Sequence, residues 1–332
     1  MAWSTAFNLE RYTIRPPSPK AFALEYTGLL AQMTAMPDTM PSAPRSIDHC
    51  VLPVTELSVA RHRLEELGFT VAPDASHPFG TANCCVFFAD NTYLEPIAVT
   101  DAEKARECAR NGQTFNIHNL AYRYRCGEDG FSALVFKTGD ADADHGGFLD
   151  AGISGGSMVE FTRDFADPSG KQDRASFRLA FAADPRSPDS FFFTCQRVLT
   201  PKVERSALER HDNGVIGLKA VTLSAPRAGD FVEFLSEVIK TEPEGSRSGG
   251  TIFHTGNAEI RLLDDSDFAS RFGATPLRDP GLRLRSILFG VRDMGKLENL
   301  LRTAGATYNR HHSTITVPPA AGQGAFFMFE AE

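Results

Sequence analysis

Hydrophobic and polar positions along this chain change period repeatedly, and the changes recur in the same order. SIDHCVLPV, from residue 46, is a strand-like apolar run. ELSVARHRLEELG follows, with Leu57, Ala60, Leu64 and Leu67 at helical spacing and Gly68 placed as the stop. FTVAP, TANCCVFFAD and NTYLEPIAV are three strand candidates divided by Pro, Gly and Asp-Asn turn signals. The predicted unit is β-α-β-β-β. GFSALVFKTGD, ADADHGGFLDAGI, SMVEFTRDF, KQDRASFRLAFAAD and SPDSFFFTCQRV predict a second unit, its helix weakened by Gly146 and Gly147. A third runs from IGLKAVTLSA through the helical RAGDFVEFLSEVIK to GGTIFHTG and NAEIRLLDD. The fourth begins at LRLRSILFGV, continues through DMGKLENLLRTAG, and ends with ATYNRHH, STITVPP and GAFFMFEAE. Residues 1–45 read as an extension, helical over AFALEYTGLLAQMTAM and then tethered by the proline-rich PDTMPSAPR, which a helix does not tolerate.

A chain of 332 residues is comfortable for two domains, each with its own core. The net charge of −8 argues against nucleic-acid or anionic-membrane partners, both of which need a basic surface. No run approaches the roughly 18–20 apolar residues of a membrane span. The N-terminus carries charges where a signal peptide needs its apolar core. Six cysteines without regular spacing suggest reduced thiols in a cytoplasmic protein. The expected partner is therefore a small molecule, and the expected state a monomer or homodimer. P-loop, GxGxxG, GxSxG and HExxH motifs are absent.

One residue breaks the apolar pattern. Glu95 stands in the middle of Tyr-Leu-Glu-Pro-Ile-Ala-Val. Burying an unpaired carboxylate costs several kcal/mol, so Glu95 needs a metal, a cation, or a position facing water.

Four modules in two pairs resemble the vicinal-oxygen-chelate superfamily, which includes glyoxalases, extradiol dioxygenases and bleomycin-resistance proteins. The resemblance is closest to its glyoxalase-like domain. IDHCVLPV, the helix stop LGF, the GTAN tetrad at 80–83 and TYLEPIAV carry it over residues 46–100, and it extends over roughly residues 46–332. It implies an α+β fold of four βαβββ modules paired into two curved mixed-sheet half-barrel domains. These would span residues 46–200 and 215–332, with 201–214 as linker.

The resemblance also places metal ligands on the first and last strands of a module, where His49 and Glu95 stand. An imidazole and a carboxylate suit a divalent ion such as Zn, Fe, Mn or Ni. Ala133 and Thr194, then Ala220 and Arg261, then Ser286 and Met328 occupy the matching positions of the other modules, so none repeats the pair. A catalytic metal needs about three protein ligands. His118 and His211, each just ahead of a module, are the candidates for the third. His77 and Asn83 are positioned to touch substrate, and Arg261 offers an anion receptor. No catalytic acid or base is singled out. The expected activity is that of a metal-dependent lyase or isomerase acting on a substrate chelated through vicinal oxygens. The alternatives are an extradiol-type dioxygenase and a metal-free protein that binds or sequesters a small molecule in the same cleft.

Overall fold

In the computed structural model, residues 43–166, 172–200, 205–246, 249–274 and 281–332 are described. The helix expected in the N-terminal extension lies outside them. The first module comprises β1 (Ile47–Pro53), α1 (Leu57–Glu66), β2 (Ala75–Ser76), β3 (Thr81–Asn83), β4 (Val86–Phe87) and β5 (Tyr93–Val99). Two helices, α2 (Ala102–Arg110) and α3 (Thr114–Cys126), lead to the second: β6 (Ala133–Lys137), α4 (Ala141–Asp150), β7 (Val159–Ala166), β8 (Gln172–Ala182) and β9 (Phe191–Leu199). The third holds β10 (Val215–Ala225), α5 (Val232–Ile239), β11 (Glu244–Gly245), β12 (Thr251–His254) and β13 (Glu259–Asp264), followed by α6 (Asp265–Phe272). The fourth holds β14 (Arg283–Val291), α7 (Met294–Thr303), β15 (Asn309–His311), β16 (Thr314–Val317) and β17 (Phe326–Ala331).

The modules pair two by two into curved mixed sheets. The first sheet runs β2-β3-β5-β1-β6-β9-β8-β7 with β4 beside β5, and the second runs β11-β12-β13-β10-β14-β17-β16-β15. In every module the first strand lies parallel to the last, as β1 does to β5 and β10 to β13. The two first strands of each pair meet antiparallel at the sheet centre, β1 against β6 and β10 against β14. This is the α+β architecture that the repeated pattern implies.

Local chemistry explains the element boundaries. Asp101, Asp140 and Asp293 each cap a helix by accepting a backbone N–H three residues on, at Lys104, Ala143 and Lys296. Helix α1 buries Leu57, Ala60 and Leu64 and stops before Gly68, whose φ is +79°. That left-handed backbone conformation favours glycine, and a Cβ there would also stand 3.0 Å from the backbone nitrogen of Asn213.

One expectation is corrected. FTVAP forms no ladder strand, because other groups take its backbone. Arg61 donates to the carbonyls of Val71 and Ala72, and Thr70 N–H donates to His211 Nδ1. The segment between the first two modules, for which the pattern named no element, folds into α2 and α3.

Alternation along the strands divides the side chains between two cores. Cys50, Leu52 and Leu94 join Leu57 and Leu64 beneath the helices, whereas Val51, Ile97 and Phe193 line the concave face. The helix-side core is continuous through both sheets: the Phe69 ring meets Phe289, Phe327 and Phe329 of the fourth module. Polar ties reinforce it. Asn213 donates to Leu67 O, and Asp189 bridges Arg125 of α3 and Arg283 of β14. Among the described residues no helix is long and apolar enough to cross a membrane.

Candidate functional site

The concave face of the first sheet gathers most of the candidate residues. In the parallel β1–β5 ladder His49 pairs with Tyr93 and Val51 with Glu95. Strand period two puts His49, Val51, Tyr93 and Glu95 on one face, so His49 and Glu95 are diagonal neighbours. The next strand brings Asn83 opposite Ile97, again on this face. His77 arrives by the His-Pro-Phe-Gly turn, closed by His77 N–H donating to Thr81 O at 2.8 Å. That turn needs Gly80, with φ +85°; a Cβ there would sit 2.6 Å from Asp101 O.

The resulting cluster is tight. His49 Nε2 stands 3.2 Å from Glu95 Oε2, and His77 Nε2 stands 3.7 Å from Glu95 Oε1. Asn83 Nδ2 donates to Glu95 Oε1 at 2.5 Å and toward His77 Nε2 at 3.4 Å. Because an amide N–H can only donate, His77 Nε2 accepts, and its Nδ1–H donates to Thr81 Oγ1 at 2.9 Å. His49 is oriented the same way. Its Nδ1–H donates to Asp48 Oδ2 at 2.8 Å, and Arg197 holds both Asp48 oxygens at 2.8 and 2.9 Å. Rings fix the imidazole planes: His49 stacks on Tyr93 at 4.3 Å, and His77 on Phe79 at 5.0 Å. Both imidazoles therefore present Nε2 to one carboxylate.

Electrostatics follow from this burial; Asp48, His49 and Glu95 are 1%, 3% and 8% exposed. Burial alone would raise the Glu95 pKa, but hydrogen bonding to His49, the charges of His49 and His77, and the Asn83 amide bring it down to about 2. Burial would lower His49, yet the Asp48 and Glu95 carboxylates outweigh it and raise its pKa above the ordinary value. For His77 burial prevails, and its pKa is lowered to about 4. Burial pushes the Cys85 thiol and the Tyr93 hydroxyl well up, with nearby carboxylates adding to the shift.

Other expected site residues lie elsewhere. His211 accepts from Thr70 N–H and donates to Phe87 O between the first module and the core. His118, on α3, donates to Gly155 O at 2.8 Å and stacks on Phe191. Neither side chain contacts Glu95. Arg261 lines a separate cleft in the second sheet and, instead of standing free as an anion receptor, pairs with Glu259 at 2.8 Å. On β9 the cleft-facing positions are Phe191, Phe193 and Cys195, so Thr194 points to the opposite face.

Sequence reasoning missed Asp48, Arg163 and Arg197. Asp48 adjoins His49 in the chain, and a carboxylate beside a candidate ligand histidine was the available signal. The two arginines come from strands far away in sequence and carry no local signal.

The likeness to known proteins agrees with this fold. Residues 47–239 match the family described as the glyoxalase-like domain, which is more than half of the chain. The chain belongs to the glyoxalase-like domain family. None of the curated proteins matches it. Among solved structures, the glyoxalase-like chain is similar to a hypothetical protein from Staphylococcus aureus, with TM-score 0.60 and 13% identity over 86% of this chain and 99% of that one. It is also similar to a mutant 4-hydroxymandelate synthase from Streptomyces coelicolor, with TM-score 0.51 and 15% identity, covering 87% and 94%. A Mn(II)-bound glyoxalase from Novosphingobium aromaticivorans gives TM-score 0.50 and 12% identity, covering 87% and 83%. At these identities the glyoxalase-like fold is what is shared.

Proposed function

We propose that the first-sheet cleft is a divalent-metal-dependent enzyme site of glyoxalase-like lyase or isomerase type. It takes a small substrate through two neighbouring oxygens, and His49, His77 and Glu95 hold the metal. The observation that supports this most is the pair of imidazoles, each held through Nδ1, presenting Nε2 to a buried carboxylate. Such orientation by an outer carboxylate or hydroxyl is what a ligating histidine requires. Two ligands of one ion, each about 2.0–2.1 Å from it, stand roughly 3.0–3.4 Å apart. The His49–Glu95 spacing of 3.2 Å fits. Among the described residues no three His, Cys, Asp or Glu side chains stand in a finished chelating arrangement. His77, at 3.7 Å, is the donor that must draw in by a few tenths of an ångström. The fold shared with a Mn(II)-bound glyoxalase supports the same reading.

When bound, a divalent ion supplies Lewis acidity that stabilises negative charge developing on a substrate oxygen. The chain's own residues do the rest. Asp48 fixes the His49 tautomer, Asn83 steadies Glu95, and the rings of Phe79, Phe161, Phe177 and Phe193 keep water from the cleft floor. Burial keeps the thiols of Cys85 and Cys195 and the Tyr93 hydroxyl protonated. Among the described residues lining the floor, that leaves the carboxylate of Glu95 to move a substrate proton, since His49 and His77 are tied through Nδ1 and would give Nε2 to the metal.

One observation favours a second reading. Two histidines and one carboxylate also form the ligand set of non-haem iron oxygenases, so the dioxygenase alternative gains a second histidine in His77, which the sequence had directed to substrate. Metal analysis of protein purified without chelator tests the first step. Activity of protein reloaded with Zn, Mn or Ni toward dicarbonyl substrates would support the lyase or isomerase reading. Oxygen uptake with catechols after Fe(II) loading would replace it with the second. If no metal is bound and none is taken up, the cleft belongs to a metal-free binding protein.

A further inference from the structure

The cleft at the His49–Glu95 floor adjoins a second space, the mouth, that is lined by Phe87, Arg197 and Arg205. Tyr93, Arg163 and Phe177 line both spaces. In a chain of net charge −8, this mouth presents three arginines: Arg163, Arg197 and Arg205. Two have evident occupations. Arg197 holds Asp48 through two hydrogen bonds, and Arg205 lies over the Phe87 ring at 5.1 Å. Arg163 differs. Its Nε and Nη1 are buried and have no hydrogen-bond partner among the described residues, and its guanidinium lies 5.7 Å from the centre of the Phe177 ring.

Guanidinium N–H groups withdrawn from water without an acceptor are unfavourable unless something else supplies the acceptor. Nε–H points parallel to an Nη2–H on the same side of the guanidinium, a pair whose spacing matches the two oxygens of a carboxylate, and Nη1 is a further donor on the other side. The surfaces around it are flat rings, Phe177, Phe161 and Tyr93. We infer that Arg163 is the receptor for a carboxylate carried by the substrate, and that this substrate is a flat, apolar-bodied carboxylic acid. The inference rests on the reading of this cleft as the substrate site. It adds a second anchor on β7, separate from the His49, His77 and Glu95 cluster.

Benzoate, with benzamide as its neutral counterpart, is the probe, measured by calorimetry on full-length protein with and without prior chelator treatment. Benzoate is expected to bind in both cases and benzamide at least about tenfold more weakly, as the loss of charge-assisted hydrogen bonds requires. Arg163→Gln should weaken benzoate about 10- to 100-fold and leave benzamide unchanged. Arg163→Lys should lose part of the affinity, since it keeps the charge and loses the fork; melting curves of both variants confirm folding. Glu95→Gln should leave benzoate binding to chelator-treated protein in place. Equal affinity of the wild type and Arg163→Gln for benzoate would overturn the inference. If benzoate binding also vanished with chelator, the carboxylate would belong to the metal, and the metal reading would stand without this one.

Discussion

The two sheets share a ladder and differ in what it carries. In the first, His49 pairs with Tyr93 and Val51 with Glu95; in the second, Ala220 pairs with Glu259 and Thr222 with Arg261. Arg261 thus occupies the place of Glu95, and alanine the place of His49. The first cleft keeps its carboxylate buried among donors on separate strands and a turn. The second neutralises itself within one strand, Glu259 against Arg261 two residues on, both half-buried. Equivalent backbone positions therefore yield a convergent set of imidazoles and an amide around a carboxylate in one half and a local ion pair in the other. Topology supplies addresses, and side chains decide whether an address holds chemistry.

The contrast is open to attack first at the joint between the halves. We propose residues 46–200 and 215–332 as the two domains, yet Phe69 threads its ring into the fourth module. Phe69→Ala should cost about 3–5 kcal/mol, as for large buried aromatics. Denaturant unfolding followed by probes in each sheet should show one shifted transition. Two separate transitions would mean that the sheets are energetically independent.

Next comes the chemical difference itself. Glu95→Gln should weaken divalent-metal affinity by about 100-fold or more in competitive chelator titration, since it removes an anionic ligand. Arg261→Gln should leave that affinity unchanged and alter stability by less than about 1 kcal/mol, as expected for a half-exposed ion pair. Equal effects of the two variants would erase the distinction between the clefts.

A smaller effect is expected one shell out. Asp48→Asn keeps the shape and removes the charge that orients His49, so metal affinity should fall about 10- to 100-fold. Unchanged affinity would show that the packing of Tyr93 and Phe193 alone positions the ring.

The smallest expected effect concerns the histidine that lies outside the cleft. His211 is buried, and burial lowers its pKa below the ordinary 6.5 despite its bond to Phe87 O. The unfolded chain therefore binds a proton that the folded chain resists. His211 contributes stability above about pH 6.5 that is lost as pH falls below it. His211→Gln should flatten the fall in melting temperature between about pH 6.5 and 5. An unaltered slope would place the acid sensitivity elsewhere.

The module order and the helix stop at Gly68 were legible because they depend on local periodicity, and the resemblance to the glyoxalase-like domain supplied the facing of His49 and Glu95. Glu95 stood out because a carboxylate in an apolar strand is costly wherever that strand goes. Other features depend on groups distant in the chain. The register of β9 turned Phe193, not Thr194, to the cleft, since a one-residue slip exchanges the faces of a strand. FTVAP has strand composition, but Arg61 and His211 claimed its backbone. His118 and His211 had the same chemistry as His77, and only the turn closed by Gly80 brought His77 to Glu95.

By itself the sequence determined an α+β chain of four repeated modules and one pair of residues positioned to meet across β1 and β5. Tertiary structure alone decided which second histidine joins them, that Asp48 and Arg197 stand behind His49, and that Arg163 of β7 faces the same cleft. The physical reason is range. Periodicity and capping act within a few residues, whereas a buried charge is satisfied by whichever groups the folded sheet brings within a few ångströms.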